Sequence, residues 1–243
     1  MHSLLFALLV GGALPGGETY LCQPAYAIDD QLRGPAVRYV PQPGDVFLST
    51  DKSPVVRAGH RLALSGPPHH SGIVVARPDG RLAVLESGPF NGLTVGIVDL
   101  ADELAGHEKR GEKVWIRTRR VPLTPEQSER LTAWATAQEG KLFAGLRMCG
   151  QLTLFRCRGP LRTYFLGRPN GARWSYFCSE LVMESCVHVG LVDRRFARPA
   201  ATYPRDLFFD HSDNWFLNEH PPLAADWHPP ARWVSRPAED GRR

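Results

Sequence analysis

Cys178, His70 and Glu86 have the residue types and local settings for thiol chemistry: a nucleophile, a base and a carboxylate to orient the base. Cys178 follows Trp174-Ser175-Tyr176-Phe177 and opens an apolar stretch that predicts a helix to about Val189, closed by Gly190. At a helix start, unpaired backbone N–H groups and the helix dipole favour negative charge, so a thiol there is more easily ionised and a developing oxyanion has donors within reach. His70 begins the run His70-Ser71-Gly72-Ile73-Val74-Val75, whose β-branched content predicts a strand. His69 is the competing base. Successive side chains of a strand face opposite ways, however, so only one of the two serves a given site. Gly72 offers room for another chain to approach the histidine closely.

The third residue depends on a turn. Ser71–Ala76 and Leu82–Ser87 read as two strands joined through Pro78-Asp79-Gly80. A three-residue loop with Gly80 left-handed pairs Arg77 with Arg81 and Gly72 with Glu86, which puts Glu86 on the face of His70, within reach across the diagonal. A two-residue loop turns Glu86 away and brings Ser87 in its place.

The elements that must position these residues predict an α+β fold, an antiparallel sheet of about five strands packed against helices. Beyond the hairpin, Val46–Ser49, Leu93–Val98 and Lys113–Arg119 read as strands. Thr124-Pro125 with Gln127 marks a helix start, and Leu131, Trp134, Ala135 and Leu142 recur at helical spacing. A Gly-, Arg- and Pro-rich middle runs from Gly145 to Trp174. The last thirty residues carry Pro221-Pro222, Pro229-Pro230 and several tryptophans, which predicts an extended arm packed on the surface.

The 243 residues, 43% hydrophobic and 22% charged, describe a globular chain and exclude wholesale disorder or a long coiled coil. A formal charge of +4 with dispersed arginines gives no concentrated face for nucleic acid. The apolar run Leu4–Leu14 is too short to span a bilayer but fits a leader core, and Ala25-Tyr26-Ala27 supplies small residues for cleavage. Residues 1–27 are therefore expected to be a signal peptide, 28–209 the domain that holds Cys178, His70 and Glu86, and 210–243 the arm, with export to the periplasm or outside the cell and no integral membrane segment after cleavage. Cys22 lacks the small preceding residue of a lipidated cysteine. Of the remaining cysteines, Cys178 and Cys186 lie about 12 Å apart along one helix and cannot pair, whereas Cys149 and Cys157 flank a loop and can. No spacing resembles a zinc site, and His211, His220 and His228 are too dispersed for a metal set, so no metal or cofactor is expected. Glu180 and Glu184, one helical turn apart, are expected to face solvent, and Arg117, Arg119 and Arg120 to line a solvated sheet edge.

Taken in order, Pro43-Gly44-Asp45-Val46, His70-Ser71-Gly72-Ile73-Val74, Glu86 and Phe177-Cys178-Ser179-Glu180-Leu181-Val182 resemble the circularly permuted NlpC-type papain-like cysteine hydrolases, the YiiX-like group. The resemblance spans roughly Gly44 to Val192, with the histidine motif ahead of the cysteine motif as permutation requires. It implies Cys178 as nucleophile, His70 as base and Glu86 as the third residue. Substrate preference does not carry over with the resemblance; the leading expectation is an exported cysteine hydrolase cleaving an amide bond in a cell-wall peptide, a peptidoglycan fragment or a small peptide-like substrate. The group also resembles lecithin retinol acyltransferase-like proteins, which implies the alternative of a lipid-directed acyl hydrolase or acyltransferase. A non-catalytic binding module is the third class. The Arg-rich insertion Arg147–Arg173 and the Trp/Pro arm depart from simpler members.

Overall fold

The computed structural model describes residues 18–63, 65–88, 92–151, 162–171, 173–212 and 223–236. Its strands are β1 (Tyr20–Cys22), β2 (Ala36–Arg38), β3 (Val46–Ser49), β4 (His70–Ala76), β5 (Leu82–Gly88), β6 (Thr94–Asp99), β7 (Val114–Arg117), β8 (Leu142–Phe143), β9 (Ser175–Tyr176) and β10 (Ala231–Val234). The helices are α1 (Pro54–Leu62), α2 (Leu100–Lys109), α3 (Pro125–Gln138), α4 (Gly145–Gln151), α5 (Cys178–His188) and α6 (Pro204–Phe209).

These ten strands form one sheet in the order β2-β1-β10-β7-β3-β4-β5-β6-β8-β9. The expectation of about five antiparallel strands is thus corrected to a ten-stranded mixed sheet within an α+β fold. The five expected strands are its continuous antiparallel centre, β7-β3-β4-β5-β6. The added strands are two to four residues long, and β8 pairs with β9 in parallel. The two- and three-residue segments carry no readable alternation, because strand periodicity needs at least four residues to show, and the four-residue β10 lies in the stretch expected to be a surface arm.

Alternation in the central strands explains why both faces are dry. Val46, Leu48, Ile73, Val75, Leu85 and Trp115 face a core built with Leu131, Trp134 and Ala135 of α3 and Leu181, Val182, Met183 and Cys186 of α5. Phe47, Val74, Val84 and Ile116 face the other way, against Leu100 and Leu104 of α2. Helices on both faces account for the unbroken apolar run Ile73-Val74-Val75. On α3 the capping box forms as its sequence predicts, with Thr124 and Gln127 bonding reciprocally.

β1 lies within the stretch assigned to the leader, yet it sits between β2 and β10 with Leu21 and Cys22 buried. The Pro- and Trp-rich C-terminal stretch supplies β10, inside the sheet between β1 and β7, and buries Trp227 and Trp233. Among the described residues no helix is long and apolar enough to cross a membrane.

Two expectations about charged residues are overturned. Arg117 and Arg119 are buried, because β10 covers the edge that β7 was expected to expose. Arg117 forms a bidentate pair with Asp210 at 2.6 and 2.8 Å, and Arg119 stacks on Trp227. Arg120 alone of the three is exposed. Glu180 and Glu184 are both buried on α5 rather than solvated, since Arg147 of α4 and the residues Asn170, Gly171 and Arg173 close over them. Arg147 and Arg173 pair with Glu180, and the backbone N–H groups of Asn170 and Gly171 donate to Glu184.

Candidate active site

The hairpin register decides which residue meets His70. Arg77 N donates to Arg81 O at 2.7 Å, Gly80 takes the left-handed conformation at φ +80°, and Gly72 pairs with Glu86. The loop is the three-residue form, for which glycine is the unstrained choice at the left-handed position. Glu86 consequently reaches diagonally to His70, with Oε2 2.7 Å from Nε2. Ser87 points to the opposite face, where its hydroxyl donates to Tyr176 O at 2.9 Å.

Cys178 is the first residue of α5 and is partly exposed, with its thiol hydrogen-bonded to His70. Since Nε2 faces Glu86, Nδ1 is the ring nitrogen left for the sulfur. The Ser71 hydroxyl, buried and with no hydrogen-bond partner among the described residues, lies near enough, with the Ser71 backbone, to favour the thiolate of Cys178. The structure therefore brings together Cys178, His70 and Glu86, and adds Ser71, which the sequence did not single out. Its only signal there was adjacency to His70.

His69 is excluded from this cluster by the pleat. Its Nδ1 accepts the backbone N–H of Asp51 at 3.1 Å, and its ring packs edge-on against His60. The glycine that makes space for the imidazole is Gly88 rather than Gly72. A Cβ on Gly88 would lie 3.3 Å from His70 Cε1, whereas one on Gly72 would meet Val84 Cγ1 at 2.4 Å, inside the ladder with β5.

The electrostatics favour an ion pair. Burial opposes the imidazolium, but the Glu86 carboxylate and the hydrogen bond to Cys178 outweigh it and hold His70 well above its ordinary value. For Cys178, burial opposes the thiolate. The hydrogen bond and charge of His70, with the Ser71 donors, outweigh burial and bring the thiol below its ordinary value. A thiolate beside an imidazolium is a nucleophile paired with its own proton donor. Cys186, on the same helix, is fully buried, and burial pushes its thiol up to about 12, so it stays protonated.

No family profile matches this chain, and no curated protein matches it. Among solved structures it is similar to the crystal structure of the metalloprotein yiiX from Escherichia coli O157:H7, at 20% identity and a TM-score of 0.45, over 82% of this chain and 99% of that one. Among the described residues, no group of three or more His, Cys, Asp or Glu side chains is placed to hold a metal ion. His211 follows α6, His228 donates its backbone N–H to Thr118 O at 2.8 Å beyond the end of β7, and His220 falls outside the described residues, as does Cys157, with which Cys149 could be joined. Cys149 itself is exposed with a free thiol.

Proposed function

We propose that this chain is a cysteine hydrolase of the permuted papain-like, NlpC-type kind, acting on an amide bond in a cell-wall peptide or a small peptide-like substrate. The observation that carries this reading is the run of contacts from Glu86 to His70 to Cys178 at the start of a helix, with 2.7 Å between carboxylate and imidazole.

In the proposed reaction the Cys178 thiolate attacks the substrate carbonyl carbon. The tetrahedral oxyanion is received by backbone N–H groups at the start of α5. The His70 imidazolium then gives its proton to the leaving amine, which departs and leaves an acyl thioester on Cys178. His70, now neutral, takes a proton from water as the water attacks the thioester. The acid product leaves and the ion pair is restored. Glu86 keeps the imidazole oriented throughout and compensates its charge. The proposed leader would deliver the enzyme to the periplasm or the cell exterior, where peptidoglycan fragments occur.

A second reading, a lipid-directed acyl hydrolase or acyltransferase, draws support from exposed apolar side chains near the segment that carries Cys178. Trp174, 84% exposed, lies four residues before it, and Leu146 is 92% exposed. The deciding experiment offers peptidoglycan fragments and phospholipid vesicles in parallel. Release of amino acids or peptides, with the thioester captured on Cys178 by mass spectrometry, is the expected result. Acyl transfer from phospholipid alone would replace the first reading with the second, and turnover of neither with an unreactive Cys178 would sink both.

A further inference from the structure

The turn that carries Cys178 is held by groups the reaction scheme does not use. Ser175 and Tyr176 form only a two-residue strand at the end of the sheet, so ladder bonds give this approach little rigidity. Glu180, fully buried on the first turn of α5, accepts the Phe177 N–H at 3.1 Å, which satisfies one open donor of the helix start. Arg147 grips the same carboxylate with both terminal nitrogens, Nη1 to Oε1 at 2.9 Å and Nη2 to Oε2 at 2.7 Å. Its Nη2 also donates to the Ser175 carbonyl at 2.6 Å, and its guanidinium lies 4.7 Å from the centre of the Phe177 ring. Arg173 Nε approaches Glu180 Oε1 to 2.9 Å. The two ends of the Arg-rich insertion thus converge on one carboxylate, and a single guanidinium touches residues 175, 177 and 180, on both sides of Cys178.

We propose that Arg147, acting through Glu180, is a positioning residue that fixes the Ser175–Glu180 turn so that the Cys178 sulfur meets His70. The proposal rests on Cys178 being the nucleophile. Only a planar fork satisfies two carboxylate oxygens and a carbonyl at once, which a lysine ammonium does not reproduce. Arg147 also balances charge. Without it the buried Glu180 keeps Arg173 but loses one of its two cationic partners among the described residues, and an undercompensated anion two residues from Cys178 disfavours the thiolate.

The test is alkylation of the full-length chain by iodoacetamide across the acid-to-neutral range, read at Cys178 by peptide mass spectrometry, with the thermal midpoint measured alongside. Arg147→Gln is expected to lower the limiting rate about tenfold or more and to move the acid limb to higher pH. Arg147→Lys is expected to keep the limb near its wild-type position while still losing rate. If Arg147→Gln does not fold, Arg147→Lys decides, and a wild-type rate in that variant overturns the proposal. A lowered thermal midpoint with unchanged rate and limb shows that Arg147 serves packing only, which also overturns it. A wild-type Cys178 that reacts no faster than an ordinary thiol overturns the catalytic reading and this proposal together, so the two failures are told apart by whether the wild-type thiol is activated.

Discussion

Glu86 reaches His70 across the diagonal of a hairpin: the residue directly opposite Glu86 is Gly72, two positions further along β4, and the carboxylate reaches back to Nε2 at 2.7 Å. Both partners are buried, so solvent screens the pair little and its influence on the imidazole is large. This relationship, together with the position of Cys178 on α5, sets the first expectations.

Replacing Cys178 by Ala or Ser is expected to abolish hydrolysis while leaving the fold intact, because the side chain lies at a helix start and only partly in the core. Cys186→Ala should behave in the opposite way. Its thiol is buried among Leu181, Val182 and Met183, so its loss should cost about 1 kcal/mol of stability and little activity. Product assays paired with urea unfolding separate the two, and full activity in Cys178→Ala would remove the mechanism.

The rate should follow a bell in pH. It rises as Cys178 ionises, below the ordinary thiol range, and falls as His70 loses its proton, above the ordinary imidazole range. Glu86→Gln removes the charge that favours the imidazolium, so the alkaline limb should move to lower pH while part of the rate survives. Initial-rate measurements over pH check this. An unmoved limb would mean that Glu86 does not govern the charge on His70.

Gly88→Ala places a methyl group 3.3 Å from His70 Cε1, tighter than ordinary contact, and 3.6 Å from Nδ1. The ring must yield by a few tenths of an ångström at Cε1, the carbon between its two nitrogens. The expected result is a fall in kcat of about tenfold or more with a modest change in thermal midpoint, since misplacement of a reacting group is costly. Unchanged kcat would show that the ring has slack at this position.

Asp45, beside the left-handed Gly44, accepts the Arg119 N–H at 2.8 Å, the Tyr39 hydroxyl at 3.0 Å and the Gln42 N–H at 3.2 Å. Burial nevertheless outweighs these donors and pushes its carboxyl up to about 7 from 3.8. Below the unfolded value the group is protonated in both states. Between 3.8 and about 7 the folded chain holds a proton that the unfolded chain lacks, so stability falls as pH rises and the contribution is lost above about 7. The stability difference between wild type and Asp45→Asn, from urea titrations at several pH values, should change by a few kcal/mol over that window and be flat outside it.

Much of the site was legible because it rests on local rules. Alternation gave the five central strands, Pro78-Asp79-Gly80 offered the loop that puts Glu86 opposite Gly72, and Thr124-Pro125 with Gln127 marked the start of α3. The sequence also separated His69 from His70, because the pleat alone sends them to opposite faces. It left the choice between Glu86 and Ser87 open, since two loop lengths fit the same residues. Long-range assembly settled what periodicity cannot encode. β10 covers β7 and buries Arg117 and Arg119, Gly88 rather than Gly72 makes room for the imidazole, and Arg147 meets Glu180 from 33 residues away. A three-residue strand or an arginine contact has almost no local signature; its place is fixed by which distant surfaces must be covered and which buried charges must be paired.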